Sequence, residues 1–449
     1  MNLTFASIAD DDTGACDLAG MLASQGMRTI VVLDSASPQQ VREWTRNVDA
    51  VVLAIGSRAL SSHEAYRKTR EACELIREFK PRTVAVKYCS TFDSTSEGNI
   101  GPSIDASMDG FEQPFTVAVP AFPVNGRTTY MGYHFVGYQL LSESPMRNHP
   151  LTPMTNSNLV SHLQSQTQRR VGLVAHPAVR GGVVSLANEL KTLQADGVEI
   201  AVIDCVCDAE MEIISDVIAK MPLITGSSGY ATTLPSAWKR LGYWSEAQQE
   251  FCVTRGNTAS GTLIISGSCS EATSSQSTRF ESSGIRSFVL DGMELASGSF
   301  DRKNLVSEVV ALLISGEDVF IRTMVGEKHV SAVQQWALAN GSDHVSVGAR
   351  ISTSLGALAI EIFSQTSPAG LIIAGGETSG TICRMLGIKA LRIGRNIVPG
   401  VPLCASITAP IMPVILKSGN FGGEDFFNQA VDAIRSCPQT EVGPSEYVS

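Results

Sequence analysis

Four carboxylates crowd the first place where this chain can turn from strand to helix. A short β-branched run, Phe5–Ile8, leads directly into Ala9-Asp10-Asp11-Asp12-Thr13-Gly14-Ala15-Cys16-Asp17. Side chains at Asp12 or Thr13 can cap the helix that begins there by accepting its free N–H groups. Capping accounts for one acid and leaves the others unexplained. Adjacent carboxylates repel, and beside a buried strand end they persist where they bind something: substrate hydroxyls, a hydrated magnesium ion, or a proton in transfer. Asp10 and Asp11 are the first candidates for that work.

A second cluster, Lys87-Tyr88-Cys89-Ser90-Thr91-Phe92-Asp93-Ser94-Thr95-Ser96-Glu97-Gly98-Asn99-Ile100-Gly101-Pro102, follows the run Val84–Lys87. Lys87, Ser90, Thr91, Asp93, Ser94 and Asn99 supply the mixed donors and acceptors that a polyhydroxy carboxylate requires. Taken alone, the stretch also reads as a polar loop with Asn99-Ile100-Gly101 as a turn and helix start. Arg58, in Gly56-Ser57-Arg58-Ala59, would reach the same sheet edge, and a guanidinium pairs bidentately with a carboxylate. The stretch Pro120–Thr129, with two prolines and an Asn-Gly turn, reads as a rigid wall. His134, His149 and His176 lack metal-ligand spacing and read as structural.

The second half of the chain carries glycine instead of acid. The run Thr262–Ile265 ends in Ser266-Gly267-Ser268-Cys269-Ser270, Leu371–Ala374 ends in Gly375-Gly376-Glu377-Thr378-Ser379-Gly380, and the last strand runs into Lys417-Ser418-Gly419-Asn420-Phe421-Gly422-Gly423-Glu424-Asp425. Small residues let backbone N–H groups approach phosphate oxygens, and a following helix presents its positive end to the anion. Tight turns need glycine anyway, so the weight lies in three such loops on one domain. No G-x-x-x-x-G-K-[ST], no G-x-G-x-x-G after a first strand and no protein-kinase motif set occurs.

These loops need a scaffold that holds strand ends side by side. Phe5–Ile8, Thr29–Leu33, Ala50–Ile55, Val84–Lys87, Phe115–Val119, Val171–Ala175 and Ile200–Asp204 alternate with helical-period segments, and Leu223–Gly226 follows. The rhythm predicts an α/β fold of two domains, the first with a mostly parallel doubly wound sheet, with ligands gathering at the carboxyl ends of its strands. A second β/α series runs through Thr262–Ile265, Ser287–Leu290, Val319–Arg322, Leu371–Ala374, Ala390–Ile393 and Val414–Leu416. The expected division is a substrate domain over 1–244, a linker over 245–260, a nucleotide domain over 261–437 and a tail over 438–449, with the active site in the cleft between domains. Length supports two large cores, since 449 residues exceed the roughly 100–200 of one domain. A formal charge of -10 argues against a nucleic-acid partner. Ten scattered cysteines without a C-x-x-C pair, no signal-peptide pattern and no membrane-length apolar run point to a cytoplasmic protein. A homo-oligomer is compatible with all of this.

Together Ile8-Ala9-Asp10-Asp11-Asp12-Thr13-Gly14-Ala15, the Ser90–Thr95 and Gly98–Gly101 loop and Gly375-Gly376-Glu377-Thr378 resemble the four-carbon acid sugar kinase family. The strings Lys87–Thr95, Val119–Thr128 and Ser418–Phe427 are similar to its 3-oxo-tetronate branch. The resemblance implies an N-terminal domain for the sugar acid, a C-terminal domain for ATP with Mg²⁺, and transfer to a C4 hydroxyl. ATP contacts would fall on Ser266, on Gly375 through Thr378 and on Gly419, with no metal ligand assigned among the protein's side chains. Arg58 and Lys87 would hold the substrate's carboxylate and oxygens, and Asp10, Asp11 or Asp93 would orient the hydroxyl and take its proton, Asp11 first. The family has a leucine where this chain has Asp12, and Glu97 stands where many relatives outside the branch have arginine. A threonate or erythronate kinase, an oxidoreductase on a doubly wound fold, and a non-enzymatic sugar-acid binder are the alternatives.

Overall fold

The computed structural model describes residues 3–33, 36–149, 152–246, 253 and 260–438. Most of the expected linker, and the expected tail beyond its first residue, lie outside them. Two compact units, Met1–Glu250 and Phe251–Ser449, divide the chain.

The N-terminal unit is built on strands β1 (Phe5–Ala9), β2 (Thr29–Leu33), β3 (Ala50–Ala54), β4 (Thr83–Lys87), β5 (Thr116–Val119), β6 (Arg127–Tyr130), β7 (Tyr133–Val136), β8 (Gln139–Leu140), β9 (Val171–Val174), β10 (Ile200–Ile203) and β11 (Leu223–Gly226). Eight of them form one sheet in the order β2-β3-β1-β4-β11-β5-β10-β9, and every pair in it is parallel. Strands such as Ala50-Val51-Val52-Leu53-Ala54 are buried along their whole length, as a sheet covered on both faces by helices requires. After β3 the chain crosses to the other side of β1 to make β4, so the carboxyl ends of β3, β1 and β4 stand side by side where the winding reverses.

Strands β6, β7 and β8 form a separate antiparallel sheet that begins inside the stretch Pro120–Thr129, expected as a rigid wall, and continues past it to Leu140. Its first turn is Met131-Gly132, both at positive φ, 51° and 79°, the twist that tight hairpins favour. Methionine is held in that conformation because the Asp204 carboxylate accepts hydrogen bonds from both turn amides.

In the C-terminal unit, β12 (Leu263–Ser266), β13 (Arg286–Leu290), β14 (Val319–Thr323), β15 (Leu371–Ala374), β16 (Ala390–Val398), β17 (Val401–Ser406) and β18 (Pro413–Lys417) run in the order β13-β14-β12-β15-β18-β17-β16. The first five are parallel, and the β16–β17–β18 edge is antiparallel. The expected strand Ala390–Ile393 continues to Val398 and returns as β17. The Pro399-Gly400 dipeptide that turns it is a readable hairpin signal, with Gly400 at φ 83°. Phe280, Phe320 and Phe427 meet at 5.2–5.5 Å between ring centres and anchor the core, each buried ring contributing on the order of 2–3 kcal/mol. The helix His344–Phe363 is apolar enough over Ser346–Phe363 to span a bilayer by length and composition. It packs on helices Gly292–Ser297 and Gly376–Met385, as a core helix does.

Candidate active site

The acids that open the chain converge on one guanidinium. Arg58 donates from Nε and Nη2 to the two oxygens of Asp10, at 2.9 Å each, and from Nη2 to Asp11 Oδ1, also at 2.9 Å. The backbone fixes this meeting, since Ser57 and Arg58 N–H groups donate to Asp10 O and Asp10 N–H donates to Lys87 O. Asp11, not Asp12 or Thr13, caps the first helix: its backbone is extended (φ -147°, ψ 164°) and its side chain accepts from Gly14 N–H. The helix begins at least one residue earlier than the sequence suggested, which puts Asp12 inside the first turn. Thr13 Oγ1 donates back to Asp11 Oδ2. A Cβ on Gly14 would stand 2.3 Å from Asp11 Oδ1, 3.1 Å from Lys87 Nζ and 3.5 Å from Arg58 Nη2, so only glycine leaves room for these groups.

The two acids are electrostatically unequal. Burial, with the Asp11 charge beside it, raises the Asp10 carboxyl above the usual range against the pull of Arg58. Burial also pushes Asp11 up, but Arg58, Lys87, Thr13 and Gly14 together outweigh it and hold Asp11 below that range. Lys87 is 2% exposed. Its Nζ donates to Tyr88 O at 3.0 Å and lies 4.0 Å from Asp17 Oδ2. Asp17, on the helix that Asp11 caps, is raised to about 6 by burial against the influence of Lys87 and of the Ser228 hydroxyl, which donates to it. The sequence placed Asp17 in the acid cluster without giving it a task, and nothing in the sequence pointed to Ser228.

The loop after β4 is held open by its own hydrogen bonds. Phe92 occupies the left-handed region at φ 54°, which costs a non-glycine residue about 1–3 kcal/mol. Its ring is locked between Tyr88 and His162, with centres 5.3 and 5.9 Å away. Thr91 Oγ1 donates to Asp93 Oδ1. His134, which burial lowers to about 4, bridges Thr129 Oγ1 and Ser90 O and so has the structural role its sequence setting suggested. Asn99 Nδ2 donates to the carbonyls of Ser57, Arg58 and Leu60 at 2.8, 2.9 and 3.1 Å. Asn99 therefore clasps the Arg58 loop, and Ser94 Oγ in turn accepts from Asn99 N–H. Of the expected substrate residues, Arg58 through Nε and Nη2, Lys87 through Nζ and Asn99 through Nδ2 donate to the protein itself.

In the C-terminal unit the three glycine loops come together at the ends of β12, β15 and β18. A Cβ on Gly267 would stand 2.3 Å from Thr378 Oγ1, one on Gly375 3.3 Å from Ser268 N, and one on Gly419 2.8 Å from Ser268 Oγ. Gly375, at φ 121°, leads directly into the helix Gly376–Met385, whose free N–H groups face the same edge. Ser266 and Thr378 are buried, and Thr378 Oγ1 lies 3.3 Å from Ser352 Oγ. Burial raises the Glu377 carboxyl against the opposing charge of Arg384.

The floor of this cradle is a lysine to which the sequence gave no role. Lys417 is fully buried, and its Nζ donates to Thr273 Oγ1, Ser418 O and Gly419 O at 2.9–3.0 Å. Ser270 and Thr273 hydroxyls also donate to Gly419 O. With the loop's carbonyls taken inward, its N–H groups are left for an anion. Burial lowers the Lys417 ammonium to about 7. A lysine ending a buried strand just before a Ser-Gly pair is the signal that could have identified it.

Residues 5–234 match the family model of a sugar-binding N-terminal domain, and residues 263–427 that of a nucleotide-binding C-terminal domain. The 3-oxo-tetronate kinase of Cupriavidus necator is 38% identical, with 94% of this chain and 95% of its own length covered. That of Burkholderia multivorans is 40% identical, with 95% and 96% covered. Among solved structures, a Salmonella typhimurium protein provisionally labelled a tRNA synthase superposes with a TM-score of 0.80 at 34% identity over 95% of this chain and 98% of its own. A Haemophilus influenzae protein gives 0.72 at 34% over 96% and 100%. Matched along both halves and aligned nearly end to end with these kinases, the chain belongs to the four-carbon acid sugar kinase family, in which a sugar-binding domain precedes a nucleotide-binding one.

Proposed function

We propose that this chain transfers the γ-phosphoryl group of ATP to the C4 hydroxyl of 3-oxo-tetronate, giving the 4-phosphate and ADP. One observation supports it above the rest: the C-terminal domain holds an anion cradle of three glycine loops over a buried lysine, in a chain whose kinase relatives cover it almost completely. The N-terminal domain supplies the complement, acids poised on a guanidinium at adjacent strand ends. Phosphoryl transfer asks for positioning and charge management more than covalent chemistry.

In this reading Ser266, Gly375, Gly376, Glu377, Thr378 and Gly419 bind ATP. Arg58 orients Asp10 and Asp11, Asn99 and Ser94 hold the Arg58 loop, and Lys87, Ser90, Thr91 and Asp93 line the acceptor side. Asp10 is favoured over Asp11 as proton acceptor, because burial makes it the more basic while Asp11 is held anionic. Mg²⁺ would enter with ATP and keep most of its waters. Bound there, the ion supplies charge neutralisation at the phosphates. The scattered spacing of the cysteines, without a C-x-x-C pair, supports a cytoplasmic location.

The test is ADP release with ATP and Mg²⁺ against both 3-oxo-tetronate stereoisomers, erythronate and threonate, with product mass determined. Phosphorylation of a 3-oxo acid is the expected result. Preference for erythronate or threonate would keep the family and overturn the substrate, and acid binding without ADP release would overturn the kinase.

A further inference from the structure

An anionic substrate must meet a cation, and both cations first expected to hold it already face acids of the protein. Arg58 is shared between Asp10 and Asp11 through three hydrogen bonds. Lys87 is enclosed with Tyr88 O and Asp17. Asp10, Asp11 and Asp17 thus face two cations, and an added carboxylate would be repelled there.

Next along the same edge the balance is different. The strand order β4-β11-β5 brings the loop Pro120–Gly126, which follows β5, beside the Gly226–Gly229 turn that follows β11: a Cβ on Gly229 would stand 2.2 Å from Ala121 O. In this region lie four buried polar atoms with no hydrogen-bond partner among the described residues: Asp17 Oδ1, Asn125 Nδ2, Arg127 Nε and Tyr230 OH. Asp17 is 4% exposed and Tyr230 fully buried. The charge of Arg127 acts on both Asp17 and His134, and that of Asp17 on Tyr230, so these three lie close together, and Asn125 adjoins them through its carbonyl, which accepts from Arg127 Nη1. Leaving a buried polar atom unpaired costs about 1–3 kcal/mol. Four together, from three segments distant in sequence, have the pattern of a site whose partner is a ligand.

Their chemistry selects the ligand. Arg127 Nε and Asn125 Nδ2 are donors and suit a carboxylate. Asp17 Oδ1 is an acceptor and suits a neighbouring hydroxyl, and Tyr230 OH can serve either. We propose that Arg127, Asn125 and Asp17 read the α-hydroxycarboxylate end of the substrate, with Arg127 as the counter-ion of the carboxylate. The assignment rests on the kinase reading above and gives its acceptor a fixed polarity: acid end at Arg127, C4 hydroxyl at the opposite end of the molecule. Arg127 Nη1, already donating to Asn125 O, keeps the guanidinium oriented whether or not a ligand is present.

The experiment compares 3-oxo-tetronate with erythrulose, in which a hydroxymethyl group replaces the carboxylate, in wild type, Arg127→Met and Arg127→Lys. Arg127→Met should lower kcat/KM for the acid by about 10²-fold or more while leaving KM for ATP and turnover of the ketose within about threefold. The preference for acid over ketose then collapses. Arg127→Lys, which keeps the charge and most of the packing, should recover part of that preference; if Arg127→Met fails to fold, the lysine variant alone must still narrow it. An unchanged preference in a folded variant overturns the proposal. Calorimetric binding of the acid without ATP separates the two ideas: Arg127-dependent binding without phosphorylation sinks the kinase and keeps the subsite, whereas phosphorylation indifferent to Arg127 does the reverse.

Discussion

Replacing Lys417 with methionine isolates the cost of keeping a cation under the glycine loops. Burial lowers this lysine from 10.5 to about 7, a shift of about 3.5 units worth about 5 kcal/mol while the side chain is charged. Because the folded value is the lower one, the folded protein binds fewer protons than the unfolded chain between about pH 7 and pH 10.5, so stability should rise with pH through that window. Between pH 6 and pH 9 the lysine's share of that rise is about 2–3 kcal/mol. Methionine has no such titration, and exchanging a buried charge for an apolar side chain of similar size is often near neutral overall. Gly419 O would still accept from Ser270 and Thr273. Hydrogen exchange of the β12, β15 and β18 amides, measured in both proteins at pH 6 and pH 9, follows this unit separately from the N-terminal one. The wild-type opening free energy should gain about 2–3 kcal/mol more than the variant's over that interval. Parallel responses would mean that the three hydrogen bonds to Nζ offset desolvation and that the lysine is an ordinary cation.

Other perturbations probe the remaining parts. ATP binding should raise the Lys417 pKa, so calorimetry at pH 8 in buffers of different ionisation enthalpy should detect uptake of up to about one proton, reduced in Lys417→Met. Gly419→Ala sets a Cβ against Ser268 and Ser270 Oγ at 2.8 and 3.0 Å; steady-state kinetics should show KM for ATP raised about tenfold or more with KM for the sugar acid unmoved. Asn99→Ala releases the Arg58 loop, with a loss of about 1–3 kcal/mol in urea unfolding and a fall in kcat larger than any change in KM. Asp10→Asn should lower kcat by about two orders of magnitude at unchanged KM for ATP, and near wild-type turnover would exclude it as the base.

The parallel strands were legible because each is a short run of β-branched residues closed by a polar or glycine turn, and most expected boundaries fall within one residue of those found. What escaped had weaker or competing patterns. Arg127–Tyr130 is polar enough to resemble loop, and its hairpin turns on a methionine held by an aspartate more than 70 residues away. At the site, residue type announced the clusters but not their bookkeeping. The sequence showed that Asp10, Asp11, Arg58 and Lys87 could share an edge, yet only the fold shows that the guanidinium is committed to the acids and that Asn99 serves the loop rather than a ligand. Lys417 and Arg127 were hidden for the same reason, since a lone cation is ambiguous until its neighbours are known.

The position of β11 constrains how the N-terminal domain can be made. Residues 223–226 sit between β4 and β5, so those two strands, complete by residue 119, are joined in the sheet only through a strand synthesised about a hundred residues later. At roughly 5–20 residues per second the ribosome leaves them apart for on the order of ten seconds, each with an unsatisfied hydrogen-bonding edge of the kind that recruits other chains. Fragments ending before Gly226 should therefore aggregate, and those ending just after Arg240 should be the shortest that stay dispersed.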